Sequence, residues 1–165
     1  MSDPPLLFGG EAIALIIFRK PVARLTESGL ARFVGRACRA TRIHGKVNVL
    51  VTGNSQLRSL NRRFRGKDRA TDVLSFPPMD GPANGFAGDI AISAEIAARN
   101  AMELGHSPAE EIKILALHGI LHLAGFDHEA DHGEMARQEQ RLRQRLGLPA
   151  GLIERSNSRA VKRPR

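Results

Sequence analysis

The sequence predicts an α+β fold, a small mixed four-stranded sheet surrounded by helices, with a three-histidine metal site at the end of a central helix. Three observations carry that expectation. Strand-like and helix-like segments follow one another in the order β-α-β-α-β-β-α-α-α, with no linker between them. One helical segment, from Ser107 to about Ala124, is apolar nearly all round and therefore central. His118, His122 and His128 gather at the end of that segment.

Each element has its own signal. Glu11 to Phe18 is almost continuously apolar and isoleucine-rich, and reads as a buried strand that Pro21 closes off. From Thr26 to Thr41 the residues Leu30, Phe33, Val34, Ala37 and Cys38 recur at helical spacing. Lys46 to Thr52 sets Val47, Val49 and Val51 against Asn48 and Leu50, a second strand. Gly53-Asn54 makes a turn, and Asn54 is placed to cap a helix carrying Leu57, Leu60 and Phe64. V-L-S-F-P is a short strand stopped by Pro77-Pro78, the stretch from Pro77 to Gly85 is a loop, and Gly88 to Ser93 is a fourth strand. Ser93 caps a helix running to about Leu104.

The central helix is the best signed. Ser107 is its cap, Pro108 takes the first helical position and Glu110 completes a capping box. Asp131 with Glu134 suggests a second capping box, opening a last helix that runs through Met135 and Leu142 to Leu146 before Gly147 and Pro149. Residues 1–150 thus read as one domain. The remainder, 151–165, reads as a disordered basic tail, where Arg155, Arg159, Lys162, Arg163 and Arg165 supply five of the cations behind a net charge of +8. Such an arm attracts phosphate backbones or serves only solubility.

Composition narrows the function classes. Cys38 is the sole cysteine, which excludes an internal disulfide, suits a reducing cytoplasm and, from its place on an apolar stripe, reads as core. The run A-I-A-L-I-I-F is too short to span a bilayer and lacks the flanks of a signal peptide, so no membrane partner is expected. There is no tyrosine or tryptophan, so a platform of aromatics for stacking bases is not expected.

The histidines point to chemistry. His118 and His122 are four apart and share one helix face. Gly125 can end the helix in a left-handed turn that swings His128 back toward them. Three imidazoles fit one zinc ion per chain with a fourth position open for water, the arrangement of a hydrolase. A protease with this spacing carries glutamate directly after the first histidine as its base, and here that position is Gly119. His44, His106 and His132 fall outside the spacing and read as surface or loop, with a fourth-ligand role left open only for His132.

The run H-G-I-L-H-L-A-G-F-D-H resembles the signature of the YbeY family of bacterial endoribonucleases, and so do L-N-R-R-F-R-G-K-D-R-A-T-D-V-L-S-F-P from Leu60 to Pro77 and G-D-I from Gly88 to Ile90. The resemblance extends in element order from about Glu11 to Pro149 and departs at Phe126 and Phe64, where the family usually has tyrosine, and at Ala70, where proline is common. It implies zinc ligands at His118, His122 and His128 and a functional arginine at Arg65. It also implies cleavage of single-stranded RNA in ribosomal RNA maturation, including the 3′ end of 16S rRNA, ribosome quality control, a cytoplasmic setting and contact with the small ribosomal subunit. A non-catalytic, RNA-binding ribosome assembly factor with a structural metal is the other reading. A guanidinium at Arg65 suits phosphate, against the alternative of a salt bridge with Asp68 or Asp72. Lys67 and Arg69 are expected as RNA-backbone contacts or plain surface. Asp127 either accepts the second N–H of an imidazole or caps its own loop.

Overall fold

The structure, a computed structural model, describes residues 14–79, 85–127 and 129–149. Among them the chain forms β1 (Ala14–Phe18), α1 (Glu27–Ala40), β2 (Lys46–Thr52), α2 (Asn54–Arg65), β3 (Val73–Phe76), β4 (Phe86–Ser93), α3 (Ala94–Leu104), α4 (Pro108–Leu123) and α5 (Glu134–Arg145), the expected order. The sheet runs β1-β2-β4-β3. β1, β2 and β4 are parallel, with Ile16 beside Val49 and Val49 beside Ile90, and β3 is antiparallel to β4. The sheet is therefore mixed, and its parallel strands need the long helical crossovers that the sequence supplies.

Strand alternation decides which side chains enter the core. Ile16, Val47, Val49, Val51, Ile90 and Ile92 point to one face and are buried beneath α1 and α4. α4 lies at the centre, with Ile112, Ile114, Leu115, Leu117, Ile120 and Leu121 all 1% exposed or less. Burying each such side chain contributes roughly 1.5–3 kcal/mol, so α4 anchors the fold as well as the site. Cys38 is in this core, and burial pushes its thiol up to about 11 against the weaker opposing charge of Arg39.

The opposite face of the sheet is covered only in part. α2 packs Leu57 on Leu74 and Ala91, over β3 and β4. β1 lies at the uncovered edge, so of its apolar residues only Ile16 is buried, while Leu15 and Ile17 are 44% and 43% exposed. The expected buried strand is thus a one-sided edge strand, and the described part of it starts at Ala14 because Glu11 to Ile13 lie outside the described residues.

The caps follow the sequence with two corrections. Thr26, Ser93 and Ser107 each accept a backbone N–H of their helix, and the Ser107–Glu110 capping box is complete, with both bonds at 3.1 Å. Asn54, by contrast, is not the cap of α2. Gly53 is, and the Asn54 side chain instead accepts from Ser93 Oγ at 2.6 Å, tying the starts of α2 and α3 together. The second capping box does not form either. Glu134 is the first residue of α5, behind Gly133 at φ 88°, so it stands too early to reach back. Asp131 still serves the helix start by accepting from Gly133 N and Met135 N, both at 2.8 Å.

No helix among the described residues is long and apolar enough to cross a membrane. The expected basic tail at 151–165, and residues 80–84 of the loop expected from Pro77 to Gly85, lie outside the described residues.

Candidate metal centre and cleft

The site begins with the way α4 ends. Gly125 N–H donates to His122 O at 3.0 Å and Phe126 N–H to Leu121 O at 3.1 Å, with Gly125 at φ 98°. This pair of bonds is the glycine-centred helix stop that the sequence signalled, and only glycine enters that backbone region without strain. The chain turns back there directly before Asp127. His128, the third expected ligand, lies outside the described residues.

His118 and His122 do converge. Their Nε2 atoms are 3.2 Å apart, with ring centroids 4.8 Å apart and the rings steeply inclined at 78°. Zinc–nitrogen bonds of about 2.0–2.1 Å at a tetrahedral angle place two ligating nitrogens about 3.3–3.4 Å apart, close to the spacing of this pair, which therefore suits one zinc ion. Among the described residues no group of three metal-binding side chains is assembled, the third imidazole being outside them.

The Nδ1 side of His118 fixes its orientation. Glu139 Oε1, on α5, is 3.1 Å from that nitrogen. With a carboxylate accepting from Nδ1–H, the neutral imidazole turns the lone pair of Nε2 toward its partner. Glu139 is 1% exposed. Burial pushes its carboxyl up, but the His118 bond and the Arg143 charge outweigh this and hold it below the ordinary carboxylate range. Arg143, one turn further along α5, brings Nη2 to 3.7 Å from the same oxygen.

Glu139 and Arg143 were missed in the sequence, yet a signal existed. Met135, Glu139 and Leu142 fall at i, i+4 and i+7, the buried stripe of α5, and a carboxylate on such a stripe needs a partner. Asp127, the residue considered for holding an imidazole, accepts instead from Glu129 N at 3.0 Å within its own loop, and for His118 the acceptor is Glu139. His106 sits in a loop as expected, but its side chain is only 4% exposed and meets the buried carboxylate of Glu111. His44 and His132 are exposed.

A cleft of about 390 Å³ opens beside His122, walled by Arg65, Ser75, Leu123, Phe126 and Asp127 among others. Arg65 is the last residue of α2, which Gly66 stops at φ 68°. The two salt bridges considered for Arg65 are not made: Asp68 takes Arg58 at 2.8 and 3.0 Å, and Asp72 accepts from Val73 N at 2.8 Å. Thus Arg65, some fifty residues from the histidines in sequence, faces the same cleft with its guanidinium exposed. Lys67 and Arg69 are exposed on the following loop and do not line that cleft.

Gly119 settles why the protease glutamate has no place here. It is buried against the sheet, and a Cβ at that position would lie 3.0 Å from Ile90 and from Ser75 Oγ, while its carbonyl accepts from Ser75 Oγ at 3.2 Å. A side chain at this position would run into the sheet at Ile90 and Ser75. Gly119→Glu is therefore expected to destabilise the fold by about 3 kcal/mol or more, through overpacking and a buried charge, and to yield no peptidase activity. A denaturant melt of that variant beside the wild type checks this. An unchanged midpoint would show that the position is open.

A mixed sheet with an imidazole pair at the end of its central helix and an arginine across the cleft defines a class of α+β hydrolase. The family model described as Endoribonuclease YbeY matches residues 20–147 of this chain. A Koribacter versatilis protein named endoribonuclease YbeY is 55% identical over 148 residues, covering 90% of this chain and 95% of its own length. A Solibacter usitatus protein of the same name is 49% identical, covering 87% and 95%. The solution structure of a Thermotoga maritima protein superposes with a TM-score of 0.59 at 28% identity, over 81% of this chain and 89% of that one. The chain belongs to the YbeY endoribonuclease family.

Proposed function

We propose that this protein is a zinc-dependent endoribonuclease that cuts single-stranded ribosomal RNA during rRNA maturation, including the 3′ end of 16S rRNA, and in ribosome quality control. The observation that carries the reading is the 3.2 Å convergence of His118 and His122 Nε2, with the Nδ1 of His118 already committed to Glu139, beside a cleft that also holds Arg65. His118, His122 and His128 would hold one zinc ion. Bound there, zinc supplies positive charge for a phosphoryl oxygen and acidifies water. Glu139 keeps the His118 ring turned and its proton on Nδ1. Arg65 binds the scissile phosphate through paired N–H groups and offsets the negative charge that grows on it. Lys67 and Arg69 extend cationic surface along the strand from Arg65. The setting is cytoplasmic and the partner is the small ribosomal subunit.

The test is cleavage of a single-stranded rRNA fragment by zinc-loaded protein, by chelator-stripped protein and by stripped protein resupplied with zinc. Cutting that disappears on stripping and returns with zinc, at unchanged secondary structure, is expected. Cutting that persists without metal would refute the zinc role. Stripped protein that unfolds, with a loaded form that binds RNA but never cuts it, would favour the assembly-factor reading.

A further inference from the structure

We propose that the outer faces of α1 and α5 form a second RNA-backbone-binding surface, apart from the cleft, that holds RNA flanking the cut strand. The proposal rests on the RNA substrate proposed above.

Arg32, Arg36 and Arg39 fall at i, i+4 and i+7 along α1, and Arg137, Arg141 and Arg145 fall at i, i+4 and i+8 along α5. All six are exposed, and each set forms a single stripe. The stripes meet at a shallow hollow of about 280 Å³ lined by Arg36, Arg39 and Arg145. Lys113 of α4 adds an ammonium 5.9 Å over the Phe33 ring on the flank of α1. The only exposed acids on the two helices are Glu27 and Glu134, each the first residue of its helix and so at the end away from the hollow. Among the described residues no carboxylate lies within ion-pair distance of Arg32, Arg36, Arg141 or Arg145.

Helix-dipole stabilisation accounts for Arg39 and Arg145, which stand in last turns, but not for Arg32, Arg36, Arg137 or Arg141. Guanidinium forks repeating about once per helical turn suit phosphates. An anionic membrane is the poorer fit, because a helix lying on lipid inserts an apolar face, and here those faces, Leu30, Phe33 and Val34 on α1 and Met135 and Leu142 on α5, are already buried in the core. α5 links the surface to the site. Its inner side carries Glu139 against His118, and Arg145 lies six residues further, about 9 Å along the axis.

Binding is measured by fluorescence anisotropy with a labelled rRNA hairpin bearing a single-stranded 3′ extension, over a series of KCl concentrations. The background is the full chain with His118→Ala, so that affinity is read without cleavage and independently of the metal reading. Arg36→Gln/Arg141→Gln/Arg145→Gln should weaken binding about tenfold or more and flatten the salt dependence by about two contacts' worth. The charge-matched control Lys20→Gln/Arg24→Gln/Arg99→Gln should change affinity less than about threefold. With the histidine restored, the same triple variant should cut a short single-stranded oligonucleotide at the wild-type kcat while KM for the hairpin substrate rises. Equal weakening in both triple variants would overturn the proposal, since net charge alone would then explain it. Loss of binding to phosphatidylserine vesicles with RNA affinity unchanged would overturn it in favour of a lipid surface.

Discussion

His118→Ala is expected to leave the protein folded, strip it of zinc and lower the rate of RNA cleavage about a thousandfold or more. The ring is 19% exposed, so its removal costs some packing and the Glu139 bond, but Glu139 keeps Arg143 beside it and the apolar core of α4 is untouched. What it removes is an imidazole that the proposed mechanism uses to hold zinc and whose Nδ1 side lies 3.1 Å from Glu139. A Lewis acid is worth several kcal/mol at a phosphoryl transition state, and each 1.36 kcal/mol is a factor of ten in rate. Rate and zinc content should fall together. A variant that lost zinc yet cut at the wild-type rate would place the chemistry elsewhere.

Arg65→Glu should reduce cleavage about a hundred- to a thousandfold, the usual effect of removing one preorganised donor from a developing oxyanion. Zinc content and thermal stability should stay at wild-type levels. The reason is local. Arg65 is exposed, its two candidate carboxylate partners bond elsewhere, and α2 is stopped by Gly66 without help from the Arg65 side chain. Activity and zinc content are read on the same preparation. A parallel fall in zinc would mean that Arg65 supports the metal centre and not the phosphate.

The parts of the molecule that the sequence announces are those whose cause is local. The capping box at Ser107, the i, i+4 histidines and the Gly125 stop all lie within one short stretch, and α4 is found as expected down to its hydrogen bonds. β2 is likewise legible, because its valines alternate and both its neighbours are strands. The corrections arise where distance in sequence matters. β1 reads as buried because it is apolar, but its outer face depends on where α2 lands, and α2 lands over β3 and β4. Asn54 makes a plausible cap until Ser93, from a strand near in space and far in sequence, takes its side-chain oxygen.

The candidate site divides the same way. The histidine pair follows from spacing, whereas Arg65 could be joined to it only by the resemblance, since on sequence alone a salt bridge with Asp68 or Asp72 was the ordinary alternative. The fold sends Asp68 to Arg58 and brings Arg65 to the cleft. Glu139 is not legible as a site residue because the sequence of α5 shows an apolar stripe with one acid on it but not what that acid pairs with. Its partner is the residue four positions before His122, on a different helix, and no local pattern connects them.

Under the proposed mechanism RNA cleavage requires one zinc ion held by His118, His122 and His128. Elemental analysis of the purified chain beside the variant with all three histidines changed to alanine, each then incubated with single-stranded rRNA fragments, tests it most directly. About one zinc per chain and cleavage of the fragments are expected in the wild type, with both lost in the variant. Equal zinc in the two proteins, or cleavage by the variant at the wild-type rate, would contradict it.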